Sequence, residues 1–523
     1  MRNAEEHRKL LAQIAELEKN SVNYFDVEKE FFLITSDNLD KVQSKFYGYS
    51  IQRDGIYEED NLTPEAVKNL DGRGCYVYVD VKDGKITIKQ DLNGCWGIYL
   101  FRHGEYFALS NSFFRLLDYV KFKYPLTVDR DYCNYLVTDN LCSISHHETA
   151  TNEIQLVDRN AILNIDIGKK QLQIKLIDYE EYTVPLNTKA GIETLDGWVE
   201  FWSNVLRGVA QHTNFIQADL SGGFDTRVSL VPLLHSGIDL NKIRVYSVKA
   251  AVHTFVEDYA IASKIAEHYG FELNRPFPPT QHLNRSFDDA LNVDLYANLS
   301  FSNLPKIWLG KSVDKRYRLG GMSGETLRYR WQITPEKFIK TFIWKIRPYS
   351  PALSRELLTS IENILKSGIN AVIDKHKIKD LNSKSIPQYL YHETWSRHHF
   401  GKETLCHYFS NMVRLSPALD PQVRTLRLDT SECPDANLLI ALLFTRYEPD
   451  LLNFPLDLNR SIAPETIEYA KKINEQFPYV KNDRLSISGG GYSIYCRVIY
   501  ALKKSSRPAR TIQTFRATWR SVA

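Results

Sequence analysis

The 523-residue sequence predicts a mixed α/β chain: a β-layered N-terminal part, a doubly wound parallel sheet, and a helical C-terminal extension. Three observations carry that expectation. From Phe31 to about Ile174 apolar residues recur with a period of two, punctuated by hairpin turns. From Ile216 to Leu273 the chain reads strand, helix, strand, helix, strand, the spacing of a parallel sheet. From Pro335 to Gln476 the apolar period is helical throughout.

Taken in order, residues 1–20 predict a surface helix with Leu10, Leu11, Ile14 and Leu17 on one stripe. Three hairpins follow. Cys75–Asp91 turns at Asp83-Gly84, Gly97–Ser110 at His103-Gly104, and Asn160–Lys175 at Gly168-Lys169. Thr188–Thr213 reads as a helix leading into the stretch around which the chain is organised. Lys242–Val248 is a second buried strand, Val252–Gly270 a helix closed by a C-terminal glycine, and Phe271–Leu273 a third strand. Arg316–Leu319 is strand-like and leads into a second glycine turn. The expected domains are 1–185 and 186–523.

Composition excludes several classes. An apolar fraction of 43% and a charged fraction of 25% are those of a globular protein with a sizeable core. A net charge of +3 gives no electrostatic case for a nucleic-acid partner. The seven cysteines form no CxxC pair and no cluster with histidine, so a zinc site is not expected and reduced thiols are. No stretch approaches the roughly 18 apolar residues of a membrane span, and the first residues lack an apolar signal core, so a cytoplasmic protein is expected. A homo-oligomer is compatible with the sequence.

The informative stretch is Ile216–Leu234, IQADLSGGFDTRVSLVPLL. A glycine turn that opens a helix presents unpartnered backbone N–H groups, and glycine lets an anion approach them closely. Ser221 and Thr226 add hydroxyls; Asp225 suits a Mg²⁺ ion that bridges to phosphate. An ordinary βα turn with a capping Ser and Asp is the alternative reading.

SGGFDTR resembles the pyrophosphate loop of the N-type ATP pyrophosphatases (PP-loop proteins), specifically the synthetase domain of the asparagine synthetase family. The resemblance implies that Leu220, Ser221, Gly222, Gly223, Asp225 and Thr226 hold ATP phosphates and that Ser247 and Val248 lie against adenine. RYRLGGMSGETLRYRW resembles the family's second loop, which implies Gly321, Ser323 and Gly324 as phosphate residues and Glu325 as partner to Asp225 on Mg²⁺. Arg227 departs from the asparagine-forming enzymes. It resembles the variant seen in family members linked to surface-glycan synthesis; its guanidinium suits a phosphate or carboxylate, with capping of a local carboxylate as the alternative, giving Asp225, Arg227 and Glu325 as expected catalytic residues. Met322 and Thr326 stand where asparagine formers carry acids. Glu257-Asp258 loosely matches a family acidic pair, and a solvated pair at a helix start is the alternative.

Asp91–Tyr99 and Phe107–Asn111 are similar to motifs of the family's Ntn-hydrolase-type glutaminase domain, which implies that fold for residues 1–185. That activity needs an N-terminal cysteine; here the chain opens Met1-Arg2-Asn3 and the first cysteine is Cys75, so glutamine hydrolysis is not expected. The resemblance implies ATP- and Mg²⁺-dependent adenylation of a carboxylate, then amide formation with ammonia or an amine, with a capsule or lipopolysaccharide sugar acid as the expected substrate. An intramolecular cyclase and a nucleotide-binding pseudoenzyme are the alternatives. Arg328 and Arg330 are candidates to face an anionic substrate, with salt-bridged helix arginines as the alternative. Arg397, His398, His399 and Lys402 are candidates for a basic patch, and Gly489-Gly490-Gly491 for a flexible loop.

Overall fold

The structure is a computed structural model that describes Ala12 and residues 25–138, 145–177, 184–249, 253–280, 282–284, 286–297, 310–322, 324–328, 333–346, 354–424, 426–427 and 436–479. The chain divides into the units Met1–Phe477 and Pro478–Ala523, and every element below belongs to the first. The expected helix at 1–20, apart from Ala12, and the 489–491 loop lie outside the described residues.

Ten strands build two antiparallel sheets: β1 (Leu33–Thr35), β2 (Lys45–Gln52), β3 (Gly55–Glu58), β4 (Gly74–Lys82), β5 (Lys85–Gln90), β6 (Tyr99–His103), β7 (Tyr106–Ser110), β8 (Ile154–Leu156), β9 (Ala161–Asp166) and β10 (Gln171–Leu176). Their orders are β1-β7-β6-β8 and β10-β9-β5-β4-β2-β3. The turns form where the sequence predicts, within one residue. Asp83 and Gly84 both take positive φ and join β4 to β5; two left-handed residues suit the twist of a two-residue hairpin. The β6–β7 turn falls on Gly104-Glu105, one residue later than expected, because Gly104 supplies the positive φ.

The second half is organised by a parallel sheet. Its strands are β12 (Ile216–Asp219), β13 (Arg244–Tyr246), β16 (Arg316–Leu319) and β17 (Met412–Leu415), in the order β13-β12-β16-β17, all parallel. The third expected strand is reduced to a single bridge from Leu273 to Val245, which adds a fifth position beyond β13. In order of appearance the sheet is therefore 3-2-1-4-5, a doubly wound arrangement that reverses between β12 and β16. Two short pairs, β11 (Val184–Pro185) with β18 (Leu426–Arg427) and β14 (His282–Asn284) with β15 (Gly310–Ser312), complete the strands.

One expectation is overturned here. Residues 335–476 are not helical throughout: β17 interrupts them. Val413, Arg414 and Leu415 are all buried in that strand. A four-residue segment flanked by helices, with Arg414 among its buried residues, is too short to show a periodicity of its own, so only its place in the sheet reveals it.

The core is shared. One apolar cluster runs from Phe31, Tyr49 and Trp96 through Trp198 and Trp202 to Val228, Val245, Leu415 and Leu443. Tyr49 pins the layers together: its hydroxyl donates to the Arg414 carbonyl and accepts from the Arg414 N–H, both at 3.1 Å. No helix among the described residues is long and apolar enough to cross a membrane.

Candidate functional site

Open α/β sheets bind ligands beyond the carboxyl ends of their strands, at the point where strand order reverses. Here that point lies after β12 and β16, and the two glycine turns occupy it. Leu220, buried, donates its N–H to the Tyr246 carbonyl at 2.8 Å and ends β12. Ser221 and Gly222 make the turn, Gly223 caps, and the helix Phe224–His235 begins at once. Pro232 sits one turn from its end, and the helix runs through it.

The two turns are in direct contact. A Cβ on Gly321 would fall 2.5 Å from the Thr226 nitrogen and still closer to the Asp225 carbonyl carbon. A Cβ on Gly324 would lie 2.5 Å from the Asp225 side chain. Ser229 Oγ donates to the Gly320 carbonyl at 2.9 Å. Both glycines are thus accounted for by the approach of one loop to the other. Ser323 and Arg330 lie outside the described residues. Glu325 belongs to the short 3₁₀ turn Gly324–Leu327.

The first turn bonds to itself. Ser221 N–H donates to Thr226 Oγ1 at 3.0 Å, Gly223 N–H to Ser221 Oγ at 3.2 Å, and Gly222 N–H to Asp258 Oδ1 at 2.9 Å. Asp258, loosely matched in the sequence, therefore bonds the turn itself. Burial pushes its carboxyl up, the Gly222 N–H pulls it down, and nearby Asp457 adds to the rise. Arg328 Nη2 donates to Asp225 Oδ1 at 3.1 Å, so the cation next to the second turn holds the acid of the first.

Arg227 is a correction. It was expected to face a phosphate or carboxylate, yet its side chain is 1% exposed and its guanidinium donates to the carbonyls of Gly222, Leu451, Phe454 and Pro455. It fastens the 451–455 segment to the turn. Ser247 and Val248, the residues expected against adenine, follow β13. Ser247 is buried and Val248 40% exposed, but the Ser247 N–H and carbonyl are both taken by the Asn274 side-chain amide, at 2.9 and 3.0 Å. Ser247 Oγ is buried with no hydrogen-bond partner.

The expected basic patch is also corrected. Arg397 and His398 are buried in a π-helical segment, Ser396–Gly401, and bond the carbonyls of Val157 and Ser145 at 2.7 and 3.0 Å. Burial holds the His398 imidazole neutral, down to about 3.

A small cleft with a cavity volume of about 20 Å³ lies between β2 and β17, lined by Tyr49, Asn93, Cys95, Arg414, Ser416 and Asp420 among others. Arg414 is buried there with Nε and Nη1 unbonded; Asp219, 3.8 Å from Nη1, is already held by Arg318 at 2.8 Å. Sequence reasoning did not single out this cleft, because Arg414 sits in the strand that was read as helix.

No protein-family profile matches the chain, and no curated protein does. Among the solved structures that match is glutamine phosphoribosylpyrophosphate amidotransferase from B. subtilis, complexed with ADP and GMP. The identity is 11%, the alignment covers 65% of this chain and 56% of that one, and the TM-score is 0.13. The chain thus matches about half the length of that enzyme, and so slight a likeness leaves the fold to be read from the strands themselves.

Proposed function

We propose that this chain is an ATP-dependent amide ligase that adenylates a carboxylate, releasing pyrophosphate, and joins it to ammonia or an amine. The supporting observation is the meeting of the glycine turns after β12 and β16 at the reversal point of a parallel sheet. In this reading the turn is of the PP-loop type. Gly222 and Gly223 have no side chains of their own, so a phosphate that displaces Asp258 and Ser221 Oγ from their N–H groups can approach the backbone closely at the helix start. Asp225, with its side chain 33% exposed, is a fitting Mg²⁺ ligand, and Glu325 follows directly on Gly324 in sequence. The protein's part is to clamp phosphates and align the carboxylate. The expected sugar-acid substrate drew on Arg227, whose guanidinium is taken up by carbonyls, so nothing narrows the carboxylate to a sugar acid.

A second reading, a nucleotide-binding protein without turnover, draws on Arg328 holding Asp225 and Asp258 sitting on the Gly222 N–H. ATP–pyrophosphate exchange against a panel of carboxylates, with Asp225→Asn as control, tests both. Carboxylate-dependent exchange that the substitution abolishes supports the ligase. Mg-ATP binding without exchange selects the second reading, and absence of Mg-ATP binding overturns both.

A further inference from the structure

Far along the chain from the glycine turns, the segments flanking β8 gather three metal-ligating side chains that the proposed chemistry does not use. They are His146, His147 and Asp158, with one ligand atom from each lying within 4.8 Å of the others. Among the described residues this is the one such group. His146 Nε2 lies 3.9 Å from Asp158 Oδ1, and His147 Nε2 lies 3.7 Å from Asp158 Oδ2.

Each donor is prepared in a different way. His146 is 6% exposed, and neither of its ring nitrogens has a hydrogen-bond partner. A buried imidazole with both nitrogens idle is costly unless something occupies a lone pair. His147 bonds the Leu156 carbonyl through Nδ1 at 2.9 Å. A carbonyl only accepts, so Nδ1 carries the hydrogen and Nε2 presents its lone pair towards Asp158, the orientation that metal-ligating histidines receive from a backbone partner. Asp158 is anchored on its Oδ1 side by Lys375 at 3.3 Å, and Lys375 is shared with Glu393 at 2.9 Å. Glu393 in turn takes Arg159 at 2.9 Å. Oδ2 is left for a ligand.

We propose that His146, His147 and Asp158 form a site for a divalent transition-metal ion. Two imidazoles and one carboxylate are the donor set that suits zinc and its first-row neighbours. Bonds of about 2.0–2.1 Å to each donor would set tetrahedral ligand atoms about 3.4 Å apart. The 3.7 Å from His147 Nε2 to Asp158 Oδ2 is already near that, and the other separations among the three donors, within 4.8 Å, close to it by side-chain rotation. His147 has 38% of its side chain exposed and Asp158 17%, so the ion enters from solvent and keeps one open position. The site does not depend on the ligase reading and stands or falls apart from it.

The test uses the tag-free full-length chain, stripped with chelator, and Zn²⁺ as the probe. Titration calorimetry is expected to give one equivalent bound, confirmed by elemental analysis after dialysis. Co²⁺ substitution is expected to give the visible absorption of a low-coordinate cobalt site. His147→Asn, at a half-exposed position with the fold checked by circular dichroism, and Asp158→Asn should each remove the tight equivalent and the cobalt bands. Failure of the wild-type chain to bind an equivalent overturns the proposal. So does an equivalent that survives in both variants, since the ion would then sit elsewhere.

Discussion

Gly321→Ala is the sharpest probe of the contact between the two turns. The new methyl group would lie 2.5 Å from the Thr226 nitrogen and closer still to the Asp225 carbonyl carbon, where ordinary contact begins near 3.4 Å. The loops must therefore part by about 1 Å in a close-packed interior. The atoms met are backbone at the first turn of the helix Phe224–His235, not the ends of flexible side chains. Gly321 does not take a positive φ, so the cost is steric alone. Overpacking of this kind costs about 1–3 kcal/mol, and rigid backbone puts it at the upper end. Gly55→Ala is the control, because nothing lies within 4 Å of its Cβ and its φ is also ordinary. Urea unfolding followed by tryptophan fluorescence measures both, and Mg-ATP binding reads the local effect. The expected result is a lowered midpoint and weakened nucleotide binding for Gly321→Ala alone. Equal midpoints for the two variants would refute the claim that the turns touch.

Other substitutions test the remaining contacts. Arg73→Met strands the buried Asp420 carboxylate, which Arg73 Nε and Trp202 Nε1 both meet at 2.8 Å, and should cost about 3–5 kcal/mol in urea unfolding. Adding Asp420→Asn should recover part of that, and no recovery would count against an ionic origin. Arg227→Lys replaces a fork serving four carbonyls with a single ammonium, and a loss of about 1–3 kcal/mol is expected from acceptors left unbonded. An unchanged midpoint would show that the guanidinium is not a fastener. His398 is held down to about 3 by burial, below the ordinary 6.5, so its contribution is present above pH 6.5 and fades as pH falls towards 3. Each unit of separation is about 1.4 kcal/mol, so melting temperature should drop steeply over that window in the wild type and more gently in His398→Gln.

What was legible in the sequence was whatever local chemistry dictates. Asp83-Gly84 can hardly be anything but a tight turn, Thr188 caps its helix through the Gly191 N–H at 3.1 Å, and Ser-Gly-Gly after an apolar run marks a strand-to-helix turn. What was not legible depends on distant partners. β17 is a strand because β16 lies beside it, and nothing within Met412–Leu415 says so. Arg227 looked like a ligand-facing cation because three of the four carbonyls it holds come more than 220 residues later. Asp258 reaches Gly222 across 36 residues, and Glu257-Asp258 reads in sequence equally well as a solvated helix start. His146 and His147 are neighbours in sequence, but Asp158 joins them only because β8 carries the chain back.

The late arrival of β17 bears on how this chain is made. β16 ends at Leu319, and its partner β17 begins at Met412, 93 residues further on. At synthesis rates of about 5–20 residues per second, the emerging chain carries an open, hydrogen-bond-hungry flank on β16 for on the order of 10 s. A bare strand flank recruits other strands. Cells making many copies of this protein at once should therefore accumulate nascent chains that need a holdase, and slowed translation between codons 319 and 412 should worsen the yield of soluble material.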